Sequence, residues 1–440
     1  WGGFRVLQGI NTNTFDVTVV SPRNHFVFTP LLASTAVGTL EFRCVTEPVK
    51  RLRVEHFEAE ANAIDLVNRT VKCVSALRGG QLDQASGRSP EDVDDRFEVP
   101  FDSLLIATGA VSNTFGIPGV NEHALFLKDV SDARKIRNRI MECFEHASQP
   151  NVSNEERSKL LHFAVVGGGP TGVEFMAELH DFITEDILKL YPNLKPYVSM
   201  SIYDVGKSIL GSFDAKLGSY ARERFQRKGI SLRLGEGVTS VHPRHFTLAG
   251  GARVDYGLLV WSTGISPVGL IKDLTTGDAP VAVRDPTMGR LVTDEYFRVL
   301  GTDGTTVLDG VYALGDCATI KDRALPCTAQ VANQKGAWLY KALNKATKGP
   351  SDLRPNFEAL FLILGTVAYV GKWRAGADGK GESQSGLQNI LQFTPNTGIG
   401  AWLFWRSAYF TMSVSTKNKI QIPMFWFLTW IFGRDISRIK

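Results

Sequence analysis

Residues 165–174 read Val-Val-Gly-Gly-Gly-Pro-Thr-Gly-Val-Glu, an apolar strand that runs into a complete G-x-G-x-x-G and then into a helix. Glycines permit the tight turn and let backbone N–H groups approach a pyrophosphate at the helix N-terminus. The stretch therefore predicts a dinucleotide site at the start of this helix. Its position in mid-chain indicates that this domain is inserted into another one.

The first 21 residues have the pattern of a second dinucleotide-binding unit. Trp1-Gly2-Gly3 leads into a helix-length segment, and residues 16–21 form an alternating strand. A helix entered at glycine and followed by a strand is the back half of a βαβ unit. We expect its first strand, its leading glycines and any targeting peptide to lie before Trp1, and the 440 residues alone to bind the adenine-side cofactor poorly. A helix with chance glycines is the alternative.

Each of the two glycine-containing dinucleotide-binding motifs, called fingerprints below, is followed by a strand that ends in Thr-Gly. Residues 101–110 carry Thr108-Gly109, and residues 256–264 end in Thr263-Gly264. Small residues at a strand end let the backbone pass close to a cofactor. Two fingerprints, each followed by such a strand, predict two similar Rossmann-like domains.

A third strand, within residues 310–318, ends at Gly315-Asp316. We expect this strand to deliver Gly-Asp into a helix, with the Asp316 carboxylate beside a polyol or ribityl hydroxyl of the cofactor. Its place in the chain, after both fingerprints, favours this interpretation. An ordinary turn is the alternative.

Length and composition fit a globular protein of two or three domains, with 440 residues that are 43% hydrophobic and 21% charged. The five cysteines show neither C-x-x-C nor metal-ligand spacing, so we expect reduced thiols and no zinc or other metal site. The sequence contains no run of about 18 uncharged apolar residues, so we predict no membrane-spanning helix. Residues 78–96 are predicted to form a surface loop and residues 149–159 a linker.

The last 40 residues are basic and aromatic. Residues 401–440 contain six basic residues and one acidic residue, Asp435. This segment therefore accounts for the positive net charge of +4. Residues 422–432 form an apolar run between Lys419 and Arg434 that is too short to span a bilayer. Helical spacing relates the upstream residues Trp402, Trp405, Tyr409 and Met412. The pattern predicts an interfacial anchor at a membrane surface and no nucleic-acid site, with core packing or a homodimer interface as the alternative.

In this order, the motifs resemble those of the two-dinucleotide-binding flavoproteins, and more closely those of the type II (alternative, rotenone-insensitive) NADH:quinone dehydrogenases. The resemblance spans nearly the whole chain. Its most specific part is similar to the quinone-site signature of that subgroup, at residues 325–334. The matching segments are Ser21-Pro22-Arg23, residues 28–32, Val37-Gly38-Thr39, residues 113–120, residues 167–174 and residues 325–334.

The resemblance implies an α/β fold with two Rossmann-like dinucleotide-binding domains, as in glutathione reductase, and a C-terminal membrane-associating region. Residues 1–150 would form the first part of an FAD-binding domain, without its N-terminal strand and leading glycines. Residues 160–285 would bind NADH. Residues 286–345 would complete the FAD-binding domain and supply a quinone-site helix, and residues 346–440 would anchor the protein to a membrane.

The same resemblance assigns the site residues. The residues that would bind FAD are Gly3, Ser21, Arg23, Thr108, Gly109 and Asp316, and those that would bind NADH are Gly167, Gly169, Gly172 and Asp204. Gly264 is also expected to bind a cofactor. Gln330 and Gln334 are spaced i, i+4 on one helical face and would point at the quinone headgroup. Ordinary helix-surface glutamines would show the same spacing.

Two acidic residues of the NADH domain carry specific expectations. Asp204 follows the strand at residues 199–203 and lies further beyond Gly172 than the usual ~20 residues, which fits an insertion around residues 180–196. A carboxylate there binds ribose hydroxyls and repels a 2′-phosphate, so NADH is preferred to NADPH. Glu174 lies in the first turn of its helix, where the dipole favours a carboxylate, and by resemblance it would relay protons or position substrate near the flavin.

The resemblance thus implies an FAD-dependent NADH:ubiquinone oxidoreductase that pumps no protons and lies peripherally on the mitochondrial inner membrane. Sulfide:quinone oxidoreductase is one alternative, because Cys317 and Cys327 lie near the expected flavin site. A slow-turnover, NADH-binding signalling flavoprotein is another. A disulfide reductase is excluded because Cys44 stands alone where that class has C-x-x-x-x-C.

Overall fold

The structure, a computed structural model, describes residues 1–77, 95–211, 215–346 and 415–437, and three short strands between residues 366 and 398. Its contacts divide the chain into two units. Unit 1 comprises Trp1–Phe26, Glu47–Val111 and Ile265–Phe361, and unit 2 comprises Val27–Thr46, Ser112–Gly264 and Leu362–Lys440. By its contacts the chain changes unit after Val111 and Gly264, among other points. The domain limits near residues 150 and 285 stay predictions. The predicted loop at residues 78–96 lies largely outside the described residues.

Unit 1 contains two sheets. The first has the order β1-β4-β5-β6, with β1 parallel to β4, and the second has the order β20-β17-β18-β19-β7, with β7 parallel to β19. Their strands are β1 (Thr18–Ser21), β4 (Glu55–Asp65), β5 (Thr70–Ser75), β6 (Arg96–Pro100), β7 (Leu104–Ile106), β17 (Leu291–Thr293), β18 (Arg298–Leu300), β19 (Val307–Ala313) and β20 (Ala318–Ile320). Four short strands lie at the limits of the units: β2 (His25–Val27), β3 (Thr46–Pro48), β8 (Val111–Ser112) and β16 (Ile265–Ser266).

The helices of unit 1 include α1 (Gly2–Leu7), α9 (Gly269–Thr276) and α10 (Ala329–Ala346). Helices α1 and α10 pack closely because glycines meet where they cross: a Cβ on Gly336 would lie 2.5 Å from the carbonyl oxygen of Gly2. The predicted passage from Gly315-Asp316 directly into a helix is wrong, since β20 follows and α10 begins only at Ala329.

Unit 2 is built on a parallel four-stranded sheet of order β11-β10-β9-β15. Its strands are β9 (His162–Val166), β10 (Ser199–Asp204), β11 (Ser231–Leu234) and β15 (Leu258–Trp261). Four of the five residues of β9 are buried, as expected for a central strand covered on both faces. Antiparallel strands complete the unit: β12 (Val238–Val241), β13 (His245–Leu248), β14 (Arg253–Asp255), β21 (Thr366–Tyr369), β22 (Ala375–Asp378) and β23 (Thr397–Gly398).

Unit 2 also contains several helices. They are α2 (Leu32–Ala36), α3 (Val120–His123), α4 (Val130–Ala147), α5 (Asn154–Leu160), α6 (Pro170–Phe182), a π-helical turn (Ile183–Ile187), α7 (Leu188–Leu190), α8 (Ala215–Arg227) and α11 (Thr416–Phe432). Short 3₁₀ helices occur at Thr29–Leu31, Phe42–Cys44 and Pro192–Tyr197 in unit 2 and at Val49–Leu52 in unit 1.

Two of these helices alter the sequence-based picture. The stretch predicted as a linker contains α5, whose start is capped because the Ser153 hydroxyl accepts a hydrogen bond from the backbone N–H of Glu156. Helix α4 is amphipathic and contacts β15, which groups residues 112–150 with the central fingerprint. Among the helices described, none is both long enough and apolar enough to cross a membrane.

The core of unit 2 depends on Trp261, at the end of β15. Its side chain is 1% exposed, and its indole N–H donates to the carbonyl oxygen of Asn113 at 2.9 Å. We expect Trp261→Ala to lower the free energy of unfolding by about 3–5 kcal/mol, because it leaves a cavity and an unpaired carbonyl. Urea denaturation measures the effect. Trp430→Ala is the control, because Trp430 is 66% exposed, and a loss of similar size in the control would contradict the prediction.

Candidate functional site

The fingerprint forms the turn between β9 and α6, as the sequence predicts. Gly167 has φ +115°, and a Cβ there would overlap the carbonyl oxygen of Ser262, just beyond β15. A Cβ on Gly172 would overlap the carbonyl oxygen of Gly167. These two glycines therefore serve the protein's own packing, which brings the turn close to the strand beside it.

Gly169 is different, because no atom lies within 4 Å of the place where its Cβ would stand. It is the N-cap of α6, and no side chain caps this helix. A 13-residue helix with an uncapped N-terminus and open space beside it presents backbone N–H groups to an anion. These residues fit the pyrophosphate of a dinucleotide.

Asp204 ends β10, the strand next to β9. One carboxylate oxygen accepts a hydrogen bond from the N–H of Gly168 at 2.5 Å, and the other accepts from Gly206 at 2.6 Å. The turn and the acidic residue are thus locked together, and each oxygen keeps lone-pair capacity for a hydroxyl. The long spacing from Gly172 is filled by the end of α6, the π-helical turn, α7 and the 3₁₀ helix Pro192–Tyr197.

Gly264 closes this side of unit 2, three residues after β15. It has φ +63°, and a Cβ there would lie 2.7 Å from the ring of Phe115 and 3.0 Å from the Cβ of Asn113. The carboxyl ends of β9, β10 and β15 therefore carry Gly167, Asp204 and Gly264, which is where α/β sheets bind ligands.

The residues assigned to FAD lie in unit 1, at strand ends or at the start of α1. Ser21 ends β1, and its hydroxyl accepts from the N–H of Arg23 at 3.2 Å. Thr108 and Gly109 follow β7, and Asp316 follows β19, its parallel neighbour. Gly109 has φ +69° with nothing within 4 Å of a Cβ, so the backbone there is open to a cofactor. Gly3 lies in α1, where a Cβ would stand 3.2 Å from the Cβ of Ala107. The set fits an FAD.

The two glutamines lie in the first turns of α10. The side-chain carbonyl oxygen of Gln334 is buried, and it has no hydrogen-bond partner among the described residues. Such an acceptor fits a hydroxyl donor such as that of a hydroquinone. The next residue, Lys335, was not predicted from the sequence; it is 3% exposed, and its ammonium lies 5.7 Å from the centre of the Phe297 ring. Burial, aided by the charge of Arg290, lowers the pKa of Lys335 to about 8.

Glu174 is buried and lies in α6 of unit 2, beyond its first turn, so the predicted first-turn position is wrong. Its Oε1 has no hydrogen-bond partner among the described residues. Burial raises the pKa of the Glu174 carboxyl well above its usual range, and the nearby Glu178 carboxylate adds to the shift. Burial therefore favours the protonated form of Glu174, which suits a group that gives or passes on a proton.

Comparison with known proteins extends over the whole chain. The family model described as "Pyridine nucleotide-disulphide oxidoreductase" matches residues 1–336, and the model described as "NDH2 C-terminal domain" matches residues 363–435. The internal alternative NAD(P)H-ubiquinone oxidoreductase A1 of Solanum tuberosum mitochondria is 40% identical, over 100% of this chain and 86% of that protein. A probable NADH dehydrogenase of Dictyostelium discoideum is 39% identical, over 99% and 89% of the two chains.

The chain belongs to the type II (alternative) NADH dehydrogenase family.

A solved structure of this family supports the assignment. NDH2 from Plasmodium falciparum in complex with NADH superposes with a TM-score of 0.83 at 25% identity, covering 99% of this chain and 98% of that one. The expected α/β fold with two dinucleotide-binding domains is confirmed, as is the family that the sequence motifs indicated. Cys44, which stands alone in its region of the sequence, is a free, buried thiol.

Several charged residues around α6 escaped sequence reasoning. Glu178 was overlooked, although two acids spaced i, i+4 in the apolar segment at residues 173–179 were a visible signal. Arg434 was interpreted as a charge flanking a membrane anchor, but its side chain is buried and paired with acidic residues of unit 2. Pairing of this kind depends on tertiary contacts across more than 240 residues, which no local pattern reports.

The fingerprint generates a test that separates fold from ligand. We expect Gly169→Ala to leave stability unchanged, because its Cβ meets no protein atom, and to weaken NADH binding about tenfold to a hundredfold by occupying the cofactor's space. Isothermal titration of NADH measures the affinity. Gly250→Ala is the control, because Gly250 also has nothing within 4 Å and lies outside the fingerprint. Unchanged NADH affinity in Gly169→Ala would contradict the assignment.

Proposed function

We propose that this protein oxidises NADH and transfers two electrons to a ubiquinone, without moving protons across the membrane. The proposal rests on one observation. Two family models, the oxidoreductase model over residues 1–336 and the NDH2 C-terminal model over residues 363–435, match one chain that has an intact dinucleotide turn. FAD, when bound, supplies the redox chemistry by accepting a hydride and releasing electrons. The protein's part is to bind, orient and handle protons.

NADH is bound by unit 2 in this proposal. The N-terminus of α6 receives the pyrophosphate beside Gly169, and Asp204 receives the ribose hydroxyls. Asp204 is already held by the N–H groups of Gly168 and Gly206, so its carboxylate is oriented before the cofactor arrives. A 2′-phosphate would meet this negative charge, which favours NADH over NADPH.

Quinone is bound at α10 of unit 1 in this proposal. Gln330 and Gln334 orient its carbonyl groups by hydrogen bonding, and the unpaired carbonyl oxygen of Gln334 accepts from the hydroquinone hydroxyl. Glu174 holds a proton and relays it during turnover. Neither Cys317 nor Cys327 takes part, because burial raises the pKa of both thiols and so disfavours the thiolates that sulfide chemistry needs.

The site of action follows from the relatives, among which both internal and external alternative NAD(P)H-ubiquinone oxidoreductases carry mitochondrial names. We place the protein at the mitochondrial inner membrane as a peripheral protein that contacts lipid through residues 401–440. Of that region, the described helix α11 carries a run of exposed apolar side chains, among them Ile420, Phe427, Trp430 and Phe432. The predicted stripe of Trp402, Trp405, Tyr409 and Met412 lies outside the described residues.

Enzyme assays test the proposed reaction. We expect flavin-loaded protein to oxidise NADH quickly only when a short-chain ubiquinone is added, and to use NADPH less well. Glu174→Gln should slow turnover while the flavin content stays the same, because the variant lacks the titrating proton. Quinone reduction driven by sulfide without NADH would favour a sulfide:quinone oxidoreductase, and slow flavin reoxidation by quinone would favour a signalling flavoprotein.

Vesicle binding tests the lipid contact. Replacing Phe427, Trp430 and Phe432 by serine should weaken binding to vesicles of phosphatidylcholine and an anionic phospholipid about tenfold or more, because it removes exposed apolar area. Leu190→Ser is the matched control, since Leu190 is exposed but belongs to α7. Unchanged vesicle binding, together with dissociation of a dimer in the triple variant, would assign this face to a homodimer interface instead.

A further inference from the structure

Two buried carboxyl groups lie one helical turn apart in α6. Glu178 is 4% exposed and Glu174 is 9% exposed, and their i, i+4 spacing places their Cβ atoms about 5–6 Å apart. Two carboxylates this close in a desolvated site repel each other, so burial favours a state in which the pair shares one proton. The question is which of the two residues keeps it.

Glu178 is surrounded by groups that favour its charged form. The Ser34 hydroxyl donates to one of its oxygens at 2.7 Å, and the Thr39 hydroxyl donates to the other at 3.2 Å. The Arg434 guanidinium lies 3.9 Å from the same oxygen and also donates to the Thr39 hydroxyl at 2.9 Å. Hydrogen bonds and a positive charge both stabilise a carboxylate. Glu174 has no such support at its Oε1.

Arg434 comes from the segment that follows α11. Its guanidinium donates to Asp186 at 2.7 Å and to Glu185 at 3.2 Å, both in the π-helical turn after α6. Burial opposes its charge, but Glu178 and Asp186 outweigh burial and hold the pKa of Arg434 above its usual range. The guanidinium is therefore a permanent cation beside Glu178.

The neighbouring charges are paired elsewhere. Asp181, on the same helix, forms a 2.6 Å ion pair with Lys228. The next residue in the C-terminal segment, Asp435, pairs with Arg137 at 2.5 Å. Arg137 also lies 4.0 Å from Glu41. Arg434 is thus a cation that faces the Glu174–Glu178 pair.

We propose that Arg434 is a positioning residue which, with Ser34 and Thr39, holds Glu178 as a carboxylate and so places the shared proton on Glu174. The C-terminal segment thereby determines the protonation of a residue on the fingerprint helix. This inference rests on the proposed function only for its consequence in turnover, where Glu174 acts as the proton relay.

Infrared difference spectroscopy tests the location of the proton. The C=O stretch of a protonated Glu174 is obtained by subtracting the spectrum of the same protein with Glu174→Gln, and its pH dependence gives the midpoint of Glu174. No NADH or quinone is added, so the result is independent of whether the proposed reaction occurs. The wild-type protein should show a strong Glu174 band at neutral pH.

Three variants separate the contributions. Glu178→Gln removes the neighbouring charge and should lower the Glu174 midpoint by about one to two pH units. Arg434→Met should move the proton to Glu178, so the Glu174 band at neutral pH falls by about half or more. Arg434→Lys keeps a cation and should retain most of the band, which guards against a result caused by misfolding of Arg434→Met.

Asp435→Asn is the matched control, because it loosens the same segment at its ion pair with Arg137 and leaves Arg434 in place. It should leave the Glu174 band and midpoint at their wild-type values. A Glu174 midpoint that stays put in both Glu178→Gln and Arg434→Met would overturn the proposal. An equal loss of the band in Asp435→Asn would also overturn it, since the effect would then report the docking of the segment and not the charge of Arg434.

Discussion

The close contact of the fingerprint turn with its neighbouring strands is the constraint on which the rest of unit 2 depends. Gly167 passes so near the carbonyl oxygen of Ser262 that no side chain fits, and Gly168 donates to the Asp204 carboxylate at 2.5 Å. These contacts join the ends of β9, β10 and β15 into one surface. They also fix where α6 begins, and therefore where Glu174 and Glu178 lie.

Much of this arrangement followed from the sequence, because it depends on local chemistry. A glycine pattern between an apolar strand and a helix specifies its turn wherever it occurs, and Asp204 was found because it ends the next strand. The Thr-Gly strands and the family were recognisable for the same reason. The helix α5 was missed because its capping residue, Ser153, lies in a polar stretch that also fits a linker.

The charged interior of unit 2 was not predictable in the same way. Ser34, Glu178 and Arg434 are far apart in the sequence, and each by itself resembles a surface residue. Only the folded chain brings these three residues together. An unpaired carboxylate buried there would destabilise the protein, whereas a paired one is tolerated. Arg434 is the clearest example. The sequence pattern of the tail predicted a charge beside a membrane anchor, whereas the structure pairs Arg434 with acidic residues.

The docking of α11 at both of its ends has a mechanical consequence. Lys417 donates to the carbonyl oxygen of Arg43 at 3.3 Å near the first turn, and the Thr429 hydroxyl donates to that of Thr39 at 3.1 Å near the last. A rod pinned at two points cannot roll about its long axis, so the same row of apolar side chains stays outermost. The orientation that unit 2 would take at any flat apolar surface is then determined by how α11 is attached to the protein.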